Sequence, residues 1–233
     1  MRLDETSADE GATDGRHGRR LSRLLIVGSL AAILAAATVY VTLPTLTSSA
    51  AEAVPGQDSV DAGFARDMAV HHQQAVELSF IVRDRTDDED VRRLAYDVIN
   101  TQANQRGMLL GWLDAWGLSK SSQQPPMSWM DHTANSVDGM EVMDYRAHDG
   151  SLMPGMATNT QMDQLRTAGG KDAEVRYLRL LYAHHKGGIG MAQAAADTAD
   201  KAEVARLAES IVQGQKSEMK LMADMLAQRG ATV

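Results

Sequence analysis

Shifted by 113 residues, the second half of the chain lies on the first without a gap. Phe64 falls on Tyr177, Arg66 on Arg179, and His71 and His72 on His184 and His185. Val91 falls on Val204, Leu94 and Ala95 on Leu207 and Ala208, Gln102 on Gln215, Leu113 on Leu226, and Gly117 on Gly230. A repeat of this length holds two helices per copy, so the chain should fold as two helical hairpins related by an approximate two-fold axis. Composition agrees, because 44% hydrophobic residues with only 4% aromatics leaves Ala, Leu, Val and Met to build the core, a mixture that favours helices.

Helix limits follow from capping chemistry. Thr86 with Glu89, and Asp200 with Glu203, read as capping boxes opening the second helix of each hairpin, while Gly117 and Gly230 suit the left-handed residue after a helix end. The expected helices are therefore 61–85, 88–116, 172–198 and 201–229, in hairpins 61–118 and 172–230. Thr158 with Gln161 should open a short fifth helix, closed by Gly169 and Gly170, inside a long connection, 119–171. Such connections are functional or disordered.

The N-terminal segment stands apart from the fold. A polar, Arg-ending stretch, 1–23, precedes the uncharged run "LLIVGSLAAILAAATVYVTL", 24–43, and a linker, 44–60. About 20 apolar residues can cross a bilayer, and Arg16, Arg19, Arg20 and Arg23 hold that end in the cytoplasm. The domain 61–230 is then extracytoplasmic and membrane-anchored, the alternative being secretion after cleavage of a signal near "AEA", 51–53. A net charge of −8 with no basic cluster in the domain excludes a nucleic-acid surface. The chain has no Cys, so it forms no disulfide, and any metal must use His, Met, carboxylates or backbone.

The paired histidines gain meaning on a helical wheel, where neighbours point about 100° apart. Phe64, Met68, His71, Ala75, Leu78, Ser79 and Val82 share one stripe, as do Tyr177, Leu181, His184, Gly188, Met191 and Ala195. His71 and His184 should point inward, with His72 and His185 at the stripe border, nearer solvent. The second and fourth helices bring Val91, Leu94, Val98, Leu109, Trp112 and Trp116, and Val204, Leu207, Ile211, Met222, Met225 and Arg229. Gln102, Gln105, Gln215 and Glu218 interrupt these faces. Buried amides and carboxylates are costly unless paired, so a hydrogen-bonded cluster with His71 and His184 is expected. Such networks also exist in helical cores that bind nothing.

Methionine supplies the second signal. Met108, Met219 and Met225 suit adaptable core filling, whereas Met68 and Met191 lie on the histidine faces. The connection carries "MSWMDH", "MEVMDYRAH" and "MPGM", placing Met127, Met130, Met140, Met143, Met153 and Met156 in a polar segment with His132 and His148. Thioethers select Cu(I), and imidazole accepts Cu(I) or Cu(II). Met153 and Met156 can converge on one ion only if the chain turns at Pro154 and Gly155, and in a mobile segment that ordering is entropically costly. The connection is thus expected to act as a collection arm, weaker than the histidine site, with His132, His148, Met153 and Met156 as auxiliary ligands. A Met-rich lid or partner surface is the other reading.

Together "FARDMAVHHQQAVELS", "LAYDVINTQANQRGMLLGWL", "MPGMAT", "YLRLLYAHHKGGIGMAQAA" and "LAESIVQGQKSEMKLM" resemble the domain-of-unknown-function family numbered 305 over nearly all of 61–229. The resemblance implies an all-α, ferritin-like antiparallel four-helix bundle, an exported or anchored bacterial protein, and in some members copper binding linked to metal tolerance. It also implies paired histidines at His71, His72, His184 and His185, flanked by Met68 and Met191. Leu78 and Leu181 stand where the 113-residue match has methionine, so each half keeps one methionine of two, and one site or two remain open.

Rival chemistries fit less well. A di-iron enzyme needs Glu-x-x-His motifs, but Met68 and Leu181 occupy those glutamate positions. Nucleophilic catalysis lacks a motif. The expected function is copper buffering, carriage or sequestration, Cu(I) before Cu(II), without turnover of an organic substrate. His71, His72, His184, His185, Met68 and Met191 are the expected ligands, with Gln102, Gln215 and Glu218 orienting the imidazoles. Candidate partners are the metal ion, the membrane, a second copy and a copper-handling protein. The competing reading is a structural or partner-binding bundle with a polar core and no metal.

Overall fold

The computed structural model describes residues 53–130 and 145–233. They form five helices: α1 (Val60–Arg83), α2 (Glu89–Ala115), α3 (Asn159–Thr167), α4 (Gly170–Thr198) and α5 (Ala202–Gln228). No strand forms among the described residues. α1 packs along α2, α4 along α5, and α1 against α4, with the short α3 resting on α1 and α4. None of these helices is long and apolar enough to cross a membrane. The expected anchor at 24–43 lies outside the described residues, as do His132, Met140 and Met143.

Every residue of the two inward stripes, from Phe64 to Val82 and from Tyr177 to Ala195, is buried. The core falls into two apolar clusters. One contains Phe64, Met68, Leu109, Leu113, Met191 and Ile211. The other contains Ala75, Leu78, Leu94, Val98, Tyr177, Leu181 and Met222. Along α1 and α4 alike the histidines fall between the two clusters, so a polar layer separates two apolar ends.

Both capping boxes expected for the long second helices are absent. Asp88 caps α2, its carboxylate accepting from the Val91 N–H at 2.9 Å. Thr86 instead accepts from the Asp88 N–H at 3.0 Å and donates to Glu174 at 2.6 Å. Tying α2 to α4 satisfies a buried carboxylate, which decides against the local box. Lys201 stands at the cap of α5, which has no side-chain cap bond, and its N–H goes to the buried Asp61 of α1 at 2.9 Å. The Thr158–Gln161 box does form at α3.

The 113-residue correspondence reaches the contacts. The Arg66 Nε–H donates to the Ser119 carbonyl at 2.7 Å, and Arg179, its counterpart, donates to the Thr232 carbonyl at 2.8 Å. Gly117 and Gly230, at φ 67° and 66°, each end a helix in the left-handed region. The following N–H groups, of Leu118 and Ala231, reach back to the carbonyls of Leu113 and Leu226 at 2.8 and 3.0 Å, closing the Schellman pattern. At the same end Arg229 pairs with Glu174 at 2.7 Å and Asp88 at 2.9 Å, joining the two hairpins.

Candidate metal centre

α1 and α4 lie side by side and bring their histidines together at mid-length. The His71 and His184 rings meet with centroids 3.7 Å apart, tilted by 33°. The ring of His185 lies 6.4 Å from that of His184. All four histidines are fully buried. The expectation that His72 and His185 stand nearer solvent is therefore wrong, because α2 and α5 pack over the stripe borders and close them.

The expected hydrogen-bonded cluster does not form. Among the described residues, seven of the eight ring nitrogens lack a well-formed hydrogen bond: both of His71, His72 and His184, and Nδ1 of His185. The Pro154 carbonyl approaches His71, the Gln105 side chain approaches His72, and the His71 backbone approaches His184, without good geometry. The eighth, Nε2 of His185, pairs with the Glu218 carboxylate at 2.5 Å. Both amide atoms of Gln102 and Oε1 of Gln215 are also buried and unpaired. Each such group costs about 1–3 kcal/mol when left without a partner. The centre thus holds donor atoms that a ligand would satisfy.

Electrostatics keep three of the four histidines, His71, His72 and His184, neutral. Burial first, then the neighbouring His72 and His185, hold His71 well below the ordinary imidazole range, against a small opposing effect of the Pro154 carbonyl. Burial, then His71, His185 and His72, does the same for His184. Burial takes His72 down to about 3, with the Gln105 side chain opposing and His185 adding. Neutral imidazole is the metal-binding form.

The part of the connection described from residue 145 onward is not the mobile arm its composition suggests. Met153, Pro154, Gly155 and Met156 make a type II turn, with the Met156 N–H on the Met153 carbonyl at 3.2 Å and Gly155 at φ 79°. Gln74 of α1 clamps the next residue twice, donating to the Ala157 carbonyl at 2.9 Å and accepting from its N–H at 2.7 Å. Ser151 donates to the Met156 carbonyl at 2.7 Å. On the other side, the turn lies against α4 where Gly187 has no side chain: a Cβ there would sit 2.0 Å from the Pro154 oxygen. Gly188 likewise admits Gln215 and His71, whose atoms would lie 2.7 and 3.0 Å from a Cβ.

The methionines are buried as a consequence. Met153 and Met156 join the apolar cluster of Met68 and Met191, and so does Met127. Met127 is held by its N–H on Asp67 at 2.6 Å, where Trp129 also donates at 2.7 Å. Tertiary packing outweighs the polar flanks that make this segment look exposed. His148 takes no part: it is exposed, with Nδ1 3.0 Å from the Arg146 carbonyl. Gln74, Asp67, Gly187 and Met127 were not singled out from the sequence as site residues. Adjacent glycines inside a helix were the available signal, since each costs about 1 kcal/mol without a packing reason.

No group of three or more His, Cys, Asp or Glu among the described residues could hold an ion by itself. The donors at hand are neutral imidazoles beside buried thioethers, with Glu218 as the acidic group in contact. Such a set fits a soft monovalent cation and fits a hard divalent one poorly.

The family model for a domain of unknown function, DUF305, matches residues 61–226. The chain belongs to the DUF305 family. Among solved structures, a DUF305 protein from Streptomyces coelicolor, itself named as a candidate secreted protein, is 54% identical with a TM-score of 0.66, covering 76% of this chain and 98% of its own. A DUF305 fragment from Deinococcus radiodurans is 27% identical with a TM-score of 0.58, covering 75% and 99%. CopM in its Cu(II)-bound form is 21% identical with a TM-score of 0.51, covering 72% and 95%. At that identity CopM shares the fold. No curated protein matches the chain.

Proposed function

We propose that this DUF305 protein is an extracytoplasmic copper-binding protein that buffers, carries or sequesters the metal and turns over no organic substrate. The observation that carries the reading is the buried layer of four histidines, seven of whose ring nitrogens lack a well-formed hydrogen bond, bordered by the cluster of Met68, Met191, Met153 and Met156. His71, His72, His184 and His185 would supply imidazole and the four methionines would supply thioether, with Glu218 orienting His185. Gln215 and Gln102 would complete the surroundings. The helices α1, α2, α4 and α5 would form the ferritin-like four-helix bundle that positions them.

Relatives support the reading. CopM has been solved with Cu(II), Cu(I) and Ag, and the Streptomyces relative is named for secretion. Export would be directed by the apolar run 24–43, retained as an anchor. Cu(I) is preferred because the proposed donors are soft thioethers and imidazoles, of which His71, His72 and His184 are held neutral, and burying a divalent ion among such donors costs far more.

Titrating the full chain under reducing conditions with Cu(I), in competition with a chelator, and separately with Zn(II), tests this. Tight Cu(I) binding with weak Zn(II) binding is expected. Zinc binding tighter than Cu(I), or no retained Cu(I), would overturn it.

A further inference from the structure

Gln74 and Gly187 occupy equivalent positions in the 113-residue correspondence, and both touch the same turn. Gln74 clamps it through the two bonds to Ala157. Gly187 admits it by having no Cβ to strike Pro154 and Gly155. One half of the molecule therefore holds the Met153–Met156 turn and the other makes room for it. The sequence "MPGM" occurs once in the chain, so the two halves cannot each own a copy of it.

The methionines on the helices break the correspondence in the same sense. Met68 and Met191, the two retained, fall in the cluster that contains Met153 and Met156. Leu78 and Leu181, standing where methionine would complete the match, both fall in the opposite cluster. These four thioethers thus lie on one side of the histidine layer, while Leu78 and Leu181 take the matching positions on the other, in a cluster that holds Met162, Met222 and Met225 as well. The His71 and His184 rings, 3.7 Å between centroids, are already in van der Waals contact across the two halves, so the two pairs meet in one place and are not held apart.

We infer that the two histidine pairs form one shared site for a single monovalent soft cation, and that Gln74 is the positioning residue that holds the Met153–Met156 turn over it. The inference rests on the metal-binding reading above, and its failure can be told apart from the failure of that reading. A rigid turn presents both thioethers without an ordering cost on binding, which is where a clamp gains affinity. Asp67 likewise fixes the backbone at Met127 by accepting its N–H at 2.6 Å.

Native mass spectrometry of the full chain titrated with Ag(I) decides the stoichiometry. One tightly retained Ag(I) per chain is expected, and His71→Gln and His184→Gln, each alone, should abolish it. Retention of one tight ion by both single variants would show two independent sites and overturn the inference, while a wild-type chain retaining none would sink the metal-binding reading itself. Should either histidine variant fail to fold, Met153→Leu, which conserves volume, should lose the same single ion; its retention would exclude the shared site. For Gln74→Ala the Ag(I) dissociation rate should rise about tenfold or more, and Gln74→Glu, which keeps an acceptor for the Ala157 N–H, should recover part of that loss. Release from Gln74→Ala no faster than from wild type would refute the positioning role.

Discussion

Replacing Gly187 with alanine tests how tightly the methionine turn is seated. Within α4 the substitution gains about 1 kcal/mol of helix propensity. Its Cβ, however, would lie 2.0 Å from the Pro154 oxygen, 2.6 Å from the Pro154 carbon and 3.1 Å from the Gly155 Cα. All three are backbone atoms and none can rotate away. Either α4 absorbs the overlap, or the turn lifts and the two Gln74–Ala157 hydrogen bonds, worth about 1 kcal/mol each, are lost. Overpacking costs about 1–3 kcal/mol, and backbone against backbone belongs at the upper end. Gly214→Ala is the matched control, because nothing lies within 4 Å of a Cβ there and the propensity gain is retained in full. The two variants should differ by about 3 kcal/mol, or roughly 6–12 °C in melting temperature, with Gly187→Ala the less stable and also the weaker Ag(I) binder. Thermal melts of both variants with and without Ag(I) provide the measurement. If Gly187→Ala stabilises the metal-free chain as much as Gly214→Ala does, the turn does not lie on α4 as described, and the argument for a preorganised thioether pair fails.

Three further outcomes follow from the same geometry. Met153→Leu with Met156→Leu conserves volume, so the metal-free chain should lose less than about 1.5 kcal/mol while the tightest copper step disappears in a chelator competition; survival of that step would return these residues to core filling. The pH dependence has a defined sign. His71, His72 and His184 have folded pKa values below the unfolded imidazole value, so their stability contribution is complete above about pH 6.5 and is lost as pH falls toward about 3, the value for His72. Each neutral histidine contributes a slope of about 1.4 kcal/mol per pH unit in that window. Denaturant midpoints at pH 7, 6 and 5 should fall accordingly, and a flat profile would contradict the buried, neutral layer. Glu218→Gln keeps the shape but removes the charge opposite His185, and should lower the melting temperature by a few degrees through loss of a charge-assisted bond worth about 1–2 kcal/mol; an unchanged melt would mean that the pair contributes nothing to the fold.

Helices and their inward faces were legible in the sequence because both obey short-range rules. The 3.6-residue period placed Met68, His71, Leu78, Leu181, His184 and Met191 on buried stripes, and the glycines at 117 and 230 ended helices as their conformational freedom requires. The caps at Asp88 and Lys201 were not legible, since Thr86 and Asp61 serve partners 88 and 140 residues away, and no local pattern encodes such a partner.

The sequence by itself determined that His71 and His184 would face one interior in a cysteine-free chain, with Met68 and Met191 on the same two helix faces. Only the tertiary structure decided what those donors amount to. Whether "MPGM" is a loose arm or a seated turn depends on Gln74 and Gly187, residues 83 and 32 positions from the backbone they meet at Ala157 and Gly155. Whether His72 and His185 reach solvent depends on helices packed over them. Burial and desolvation are properties of the assembled layers, and they hold His71, His72 and His184 below the ordinary imidazole range in a way that no stretch of sequence displays.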